Sequence, residues 1–197
     1  FEEPDEAPAP HSLPHYPVID TGSVRILVVD DNATNLRLMA ELLKGWGYPH
    51  EQAYDGETAL RMLLEAAAQN APFRMVLLDQ QMPVMDGREL GRLIKADPVL
   101  KSTLMVMVTS IGLRGDAAAL EEIGFVGYLA KPVRQSQLYD CIALVLAKDS
   151  GAAPTEKNAM VTRYTLAESA KLKFRILLAE DNVVNQKFAQ SLLGKAG

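Results

Sequence analysis

Between residues 24 and 148 the chain alternates short apolar runs with longer stretches in which apolar residues recur every three or four positions. The runs lie at 25–29, 75–78, 104–108 and 125–129, with a weaker one at 51–54. Apart from the weak one they are nearly continuous rather than alternating, the pattern of strands covered on both faces. The intervening stretches, 33–44, 56–69, 87–96, 114–123 and 135–147, read as amphipathic helices. In the last of them Leu138, Cys141, Ile142 and Val145 fall at i, i+3, i+4 and i+7, one helical face. Regular strand–helix alternation predicts an α/β domain: a five-stranded, doubly wound parallel sheet with helices on both sides.

The flanks differ. Residues 1–23 are dense in proline and lack periodicity, and 149–173 return to polar residues with breakers; both read as linkers. An internal repeat comes after the second linker. RILVVDDNATNLRLMAELLKGWG (25–47) matches RILLAEDNVVNQKFAQSLLGKAG (175–197) at 9 of 23 positions, including Asp31/Asp181, Asn32/Asn182 and Asn35/Asn185. The unit is too long for a solenoid, so the reading is tandem domains: the first over 24–148, the second truncated to its opening strand and helix over 174–197. A lone strand–helix pair leaves an apolar face uncovered, so self-association through 174–197 is expected.

Composition removes several classes. A net charge of −5 and a pI near 5.3 give no electrostatic basis for binding nucleic acid. The longest apolar run, 141–147, has seven residues, too few to span a bilayer, so no direct membrane contact is expected and a cytoplasmic location fits. The single cysteine, Cys141, excludes an intramolecular disulfide and sits on an apolar helix face, as a core thiol would. His11, His15 and His50 fall in linker or turn, which argues against a histidine metal site or phosphodonor. The chain lacks an initiator Met and a signal-peptide pattern, and is expected to be a piece of a longer protein.

Polar residues close four of the runs. Asp30–Asp31 come after the first, Asp79 after 75–78, Thr109–Ser110 after 104–108, and Lys131–Pro132 close the last. In an open parallel sheet all strand C-termini share one edge, and ligands bind there. Three carboxylates, a hydroxyl and an ammonium would therefore converge. Three packed carboxylates repel unless a cation joins them, and a hard divalent ion prefers oxygen ligands. A carboxylate nucleophile beside fixed cations is the apparatus of phosphoryl transfer, with an acyl phosphate as product. Asp86–Gly87 reads as turn chemistry, the methionines as packing, and Trp46 as a residue packing locally at a helix end.

With DD at 30–31, DQQMPVMDG at 79–87, TS at 109–110 and YLAKP at 128–132, residues 24–147 resemble a response-regulator receiver domain of the CheY-like family. The spacings fit as well: 48 residues from Asp31 to Asp79, 30 to Thr109 and 22 to Lys131. The resemblance implies a flavodoxin-like sheet in the order 2-1-3-4-5 and Asp79 as phosphoacceptor from a phosphohistidine. It implies Mg²⁺ (or Mn²⁺) held by Asp30, Asp31, Asp79 and the backbone carbonyl of Gln81. Thr109 and Lys131 would bind the phosphoryl oxygens, Thr109 and Tyr128 would form the switch, and Lys131–Pro132 would be a cis peptide. Tandem receivers after a proline-rich linker resemble the C-terminal part of a hybrid sensor histidine kinase. Its implied partners are the histidine kinase core, in the same parent chain, and a histidine phosphotransfer protein. The kinase core itself has no counterpart in these residues. Two other classes compete. A haloacid-dehalogenase-type hydrolase would need its nucleophile at the end of the first strand and another Asp two residues on, where this chain has Asn32. A pseudo-receiver would keep the fold as a protein-binding scaffold and accept no phosphate.

Overall fold

The computed structural model describes residues 20–110, 116–151, 160–161 and 186. The second repeat, 174–197, lies outside the described residues except for Gln186, as do residues 1–19 of the first linker. A short 3-10 helix, Thr21–Ser23, leads into five strand–helix units. These are β1 (Ile26–Val29), α1 (Ala33–Gly45), β2 (His50–Ala53), α2 (Gly56–Ala68), β3 (Met75–Asp79), α3 (Gly87–Ala96), β4 (Leu104–Thr109), α4 (Asp116–Ile123), β5 (Gly127–Ala130) and α5 (Gln135–Asp149). The strands form one parallel sheet in the order β2-β1-β3-β4-β5, as expected for this class.

Burial explains the apolar runs. Every residue of β1, β3 and β4 is buried, because these central strands carry helices on both faces. The edges differ. In β2, read HEQA, only Ala53 is buried, and β5 alternates between buried and half-buried residues. The weak signal at 51–54 thus has a physical cause: an edge strand needs fewer apolar residues. β5 is also shorter than the run that predicted it, since Phe125 precedes it and is buried over Gly91 of α3.

Two clusters make the core. On one face Leu36, Met39 and Leu43 of α1 pack with Leu138, Cys141 and Ile142 of α5. On the other, Leu63 of α2, Leu90 and Ile94 of α3 and Leu120 of α4 pack with Leu27, Val76 and Met105. Three of the helices, α1, α2 and α3, start where side chains supply the missing acceptors. Asn32 accepts from the amides of Thr34 and Asn35, Asp55 from Thr58, and Asp86 from Glu89. Asp86 is therefore a cap, as turn chemistry implied.

Three particulars depart from the sequence reading. Trp46 does not pack only locally: its ring meets Tyr139 of α5 edge-on, with centroids 5.1 Å apart, because α1 and α5 lie side by side. The apolar surface of α5 is wider than one stripe, with 141–147 buried throughout. Within the second linker, Met160 and Val161 are buried, and Val161 forms a parallel bridge with Gly127 of β5.

Candidate acidic site at the sheet edge

The site is assembled at the C-terminal ends of adjacent strands. β1 pairs with both β2 and β3, so the crevice where strand order reverses lies between β1 and β3. Asp30 comes directly after β1 and is 1% exposed; Asp79 is the last residue of β3 and is 5% exposed. Both acids are thus buried although they stand at the edge of the sheet. Asp31, one residue further out, is exposed. One oxygen from each of Asp30, Asp31 and Asp79 lies within 4.8 Å of the others.

Lys131 closes the cluster from the end of β5. Its Nζ donates to Asp30 Oδ2 at 2.9 Å and lies 2.9 Å from Asp79 Oδ1. The Lys131–Pro132 peptide is cis. The Lys131 backbone amide donates to the carbonyl of Thr109 at 2.6 Å, which ties the end of β5 to that of β4. Thr109 is fully buried at the end of β4, one residue beyond the Asp79–Val108 pair. Tyr128 is half-buried against the cluster that contains Met105 and Leu120. Gln81 lies exposed in the loop two residues past Asp79. The structure therefore brings together Asp30, Asp31, Asp79 and Lys131, with Thr109 on the neighbouring strand end.

Burial governs the electrostatics. Removal from water pushes the Asp79 carboxyl above its usual range, and the Asp30 charge adds to this, while Lys131 opposes it. Burial works to lower the Lys131 ammonium, but the hydrogen bonds to Asp79 and Asp30 overcome it and hold the group above its ordinary value. The ammonium is therefore held protonated between the two buried carboxylates.

Two supports go beyond the roles read from sequence. Asn35, on the first turn of α1, donates from Nδ2 to both Asp30 oxygens, at 3.1 and 3.0 Å. The Asn32 amide donates to Asp30 Oδ1 at 2.8 Å. Together they fix the Asp30 carboxylate before any ligand arrives. The signal was present in the repeat, where Asn32 and Asn35 recur as Asn182 and Asn185. Gly87 is the other. A Cβ there would stand 2.3 Å from the carbonyl oxygen of Asp79, so α3 can start against β3 only without a side chain. Close approach, rather than turn freedom, requires this glycine.

The donor set fits a hard divalent cation: all oxygen, two buried carboxylates and one exposed, with the ammonium on one side. Residues 26–143 match the family model of the response regulator receiver domain. The chain belongs to this family. The receiver is 39% identical over 117 residues to the response regulator PleD of Caulobacter vibrioides, covering 59% of this chain and 25% of that protein. It thus spans about a quarter of that relative's length. Similarity to the signal transduction histidine-protein kinase BarA of Escherichia coli runs over 166 residues at 29% identity, covering 83% of this chain and 17% of the kinase. Among solved structures, the receiver domain of the histidine kinase CKI1 from Arabidopsis thaliana, complexed with Mg²⁺ and BeF₃⁻, superposes with a TM-score of 0.53 at 29% identity, covering 65% of this chain and 90% of that one. Among the described residues no helix is long and apolar enough to cross a membrane.

Proposed function

We propose that this receiver accepts a phosphoryl group on Asp79 from a phosphohistidine and passes it to a histidine phosphotransfer protein. The observation that carries the reading is the Asp79 carboxylate, buried at the end of β3 with the Lys131 ammonium 2.9 Å from its Oδ1 and two further carboxylates beside it. An Asp79 oxygen attacks phosphorus, the phosphorus–nitrogen bond of the donor breaks, and the imidazole leaves with the bonding electron pair. Burial raises the Asp79 carboxyl and Lys131 opposes that rise, favouring the ionised form that attacks. Lys131 and the Thr109 hydroxyl then bind the oxygens of the transferred group, where negative charge accumulates.

Asp30, Asp31, Asp79 and the Gln81 carbonyl would hold Mg²⁺, which supplies charge neutralisation for the phosphoryl oxygens. The solved CKI1 receiver with Mg²⁺ and BeF₃⁻ supports that assignment by likeness. Asn35 and the Asn32 amide keep Asp30 oriented toward the shared site. Tyr128 and Thr109 form the switch: Thr109 moves with the phosphoryl group and Tyr128 repacks on the adjoining cluster.

Access for a partner's histidine is supported by a groove of about 420 Å³ beside the site, lined by Asn35, Leu38, Leu42, Ser110, Lys131 and Pro132. Leu38 is 58% exposed there, an apolar contact for a helix of a phosphotransfer partner. The similarity to BarA, longer than the receiver itself, supports a hybrid kinase parent, and the repeat of 25–47 at 175–197 supports a second receiver that begins at 174.

Incubation with acetyl phosphate and Mg²⁺ followed by intact mass tests the reading. One added phosphoryl group, absent in Asp79→Asn and absent with chelator, is expected. An unmodified chain under these conditions overturns it in favour of a scaffold that accepts no phosphate.

A further inference from the structure

β5 is the terminal strand of the sheet, and an open parallel edge presents backbone groups ready to pair with another strand. Here that edge is taken. The Tyr128 amide donates outward to the Val161 carbonyl at 2.8 Å, and the Val161 amide donates to the Val126 carbonyl at 2.9 Å. The two residues also enter the core from opposite sides. Val161, fully buried, belongs to the cluster of α1 and α5, and Met160, 7% exposed, to that of α2, α3 and α4. Consecutive side chains on opposite faces are what a strand provides. Gly127, the bridge partner of Val161, has Val106 and Cys141 within 3.2 Å of where its Cβ would stand, so the sheet is close-packed at the point of attachment.

We propose that the β5 edge is a strand-docking surface and that its resident occupant is the chain's own Met160–Val161, acting as an intramolecular clip. Backbone pairing supplies register, and two apolar anchors supply affinity, the division of labour found when a peptide adds to a sheet edge. The clip has two consequences. It denies β5 to edge-to-edge pairing with a second copy of the chain or a foreign strand, which must displace Val161 first. It also fastens the second linker to β5 at Val161. None of this depends on phosphoryl chemistry at Asp79.

The Tyr128 amide reports the clip directly, because its acceptor belongs to Val161 rather than to β4. Amide hydrogen exchange on the whole chain, read by NMR, is expected to show Tyr128 and Val161 protected at least about tenfold over an unpaired chain, independently of protein concentration. Val161→Pro, which removes the donor to Val126, is expected to speed Tyr128 exchange by about tenfold or more while Val28 and Leu77 keep their protection. Met160→Asp should do the same by placing a carboxylate in the apolar cluster. Unprotected Tyr128 in the wild type overturns the proposal, as does protection that Val161→Pro leaves intact. Protection that grows with concentration assigns the strand to a second copy and overturns the intramolecular clip. Loss of protection at Val28 and Leu77 in both variants makes Met160–Val161 an inseparable part of the core and overturns it too.

Discussion

Lys131 and Asp79, 52 positions apart in the chain, meet with Nζ 2.9 Å from Oδ1 at the ends of β5 and β3, two strands that do not pair with each other. The same Nζ holds Asp30, so one ammonium serves two buried carboxylates. Lys131→Met keeps the stem and removes the charge. It is expected to destabilise the receiver by about 2–3 kcal/mol at pH 7, below the upper range for a broken buried pair because the lysine side chain is 20% exposed. The size of the loss depends on pH. Asp79 already binds its proton more tightly in the folded state, and without Lys131 it does so more strongly still, so the loss is largest where carboxylates are ionised and shrinks as pH falls. Urea denaturation of both proteins at pH 7 and pH 4.5 checks this; a loss that grows on acidification contradicts it.

Magnesium should stabilise the fold through the same carboxylates. At about 100-fold excess over its dissociation constant, a ligand of the native state adds roughly 2.7 kcal/mol. Thermal melts with and without MgCl₂ are expected to separate for the wild type and to converge for Asp31→Asn. Asp31 is exposed, so its substitution leaves the metal-free melt nearly unchanged. Equal magnesium shifts in both proteins would place the ion elsewhere.

Gly87→Ala forces a methyl group onto the Asp79 carbonyl, 2.3 Å from where it would stand, with backbone on both sides of the contact. Neither β3 nor α3 can yield cheaply, and a cost of about 3 kcal/mol is expected. Chemical denaturation measures it. Phosphoryl uptake should fall with it, since the displaced atom belongs to the proposed phosphoacceptor.

The Cys141 thiol is fully buried and pushed by desolvation from 9.0 to about 12. A thiol that holds its proton inside the fold does not react, so iodoacetamide at pH 8 should leave the native receiver unmodified and label it fully in urea. The unfolded chain releases this proton from about pH 9, and the folded chain does not. Stability therefore falls as pH rises through that window. Cys141→Ala is expected to flatten the decline. Rapid native labelling would contradict the burial.

Much of the architecture was legible because each element carries its own period. The apolar runs marked all five strands, the i, i+3, i+4 spacings marked the helices, and the polar residue closing a run marked the sheet edge where ligands bind. Asp30, Asp31, Asp79 and Lys131 were found this way and do converge. The boundaries moved by one or two residues where burial continued past the apolar run, as at Asp79 and Thr109, both buried inside their strands.

The rest belongs to tertiary structure. Order of residues determined which groups end which strands, since alternation and period are local properties of the chain. It did not determine that Asn35 grips Asp30, that Trp46 meets Tyr139, that Gly87 must clear a carbonyl, or that Val161 returns to cover β5. Each of those is a contact between surfaces created only when the elements pack, and such contacts leave no periodic trace in the chain even where, as for Asn35 and Asp30, the partners are 5 residues apart.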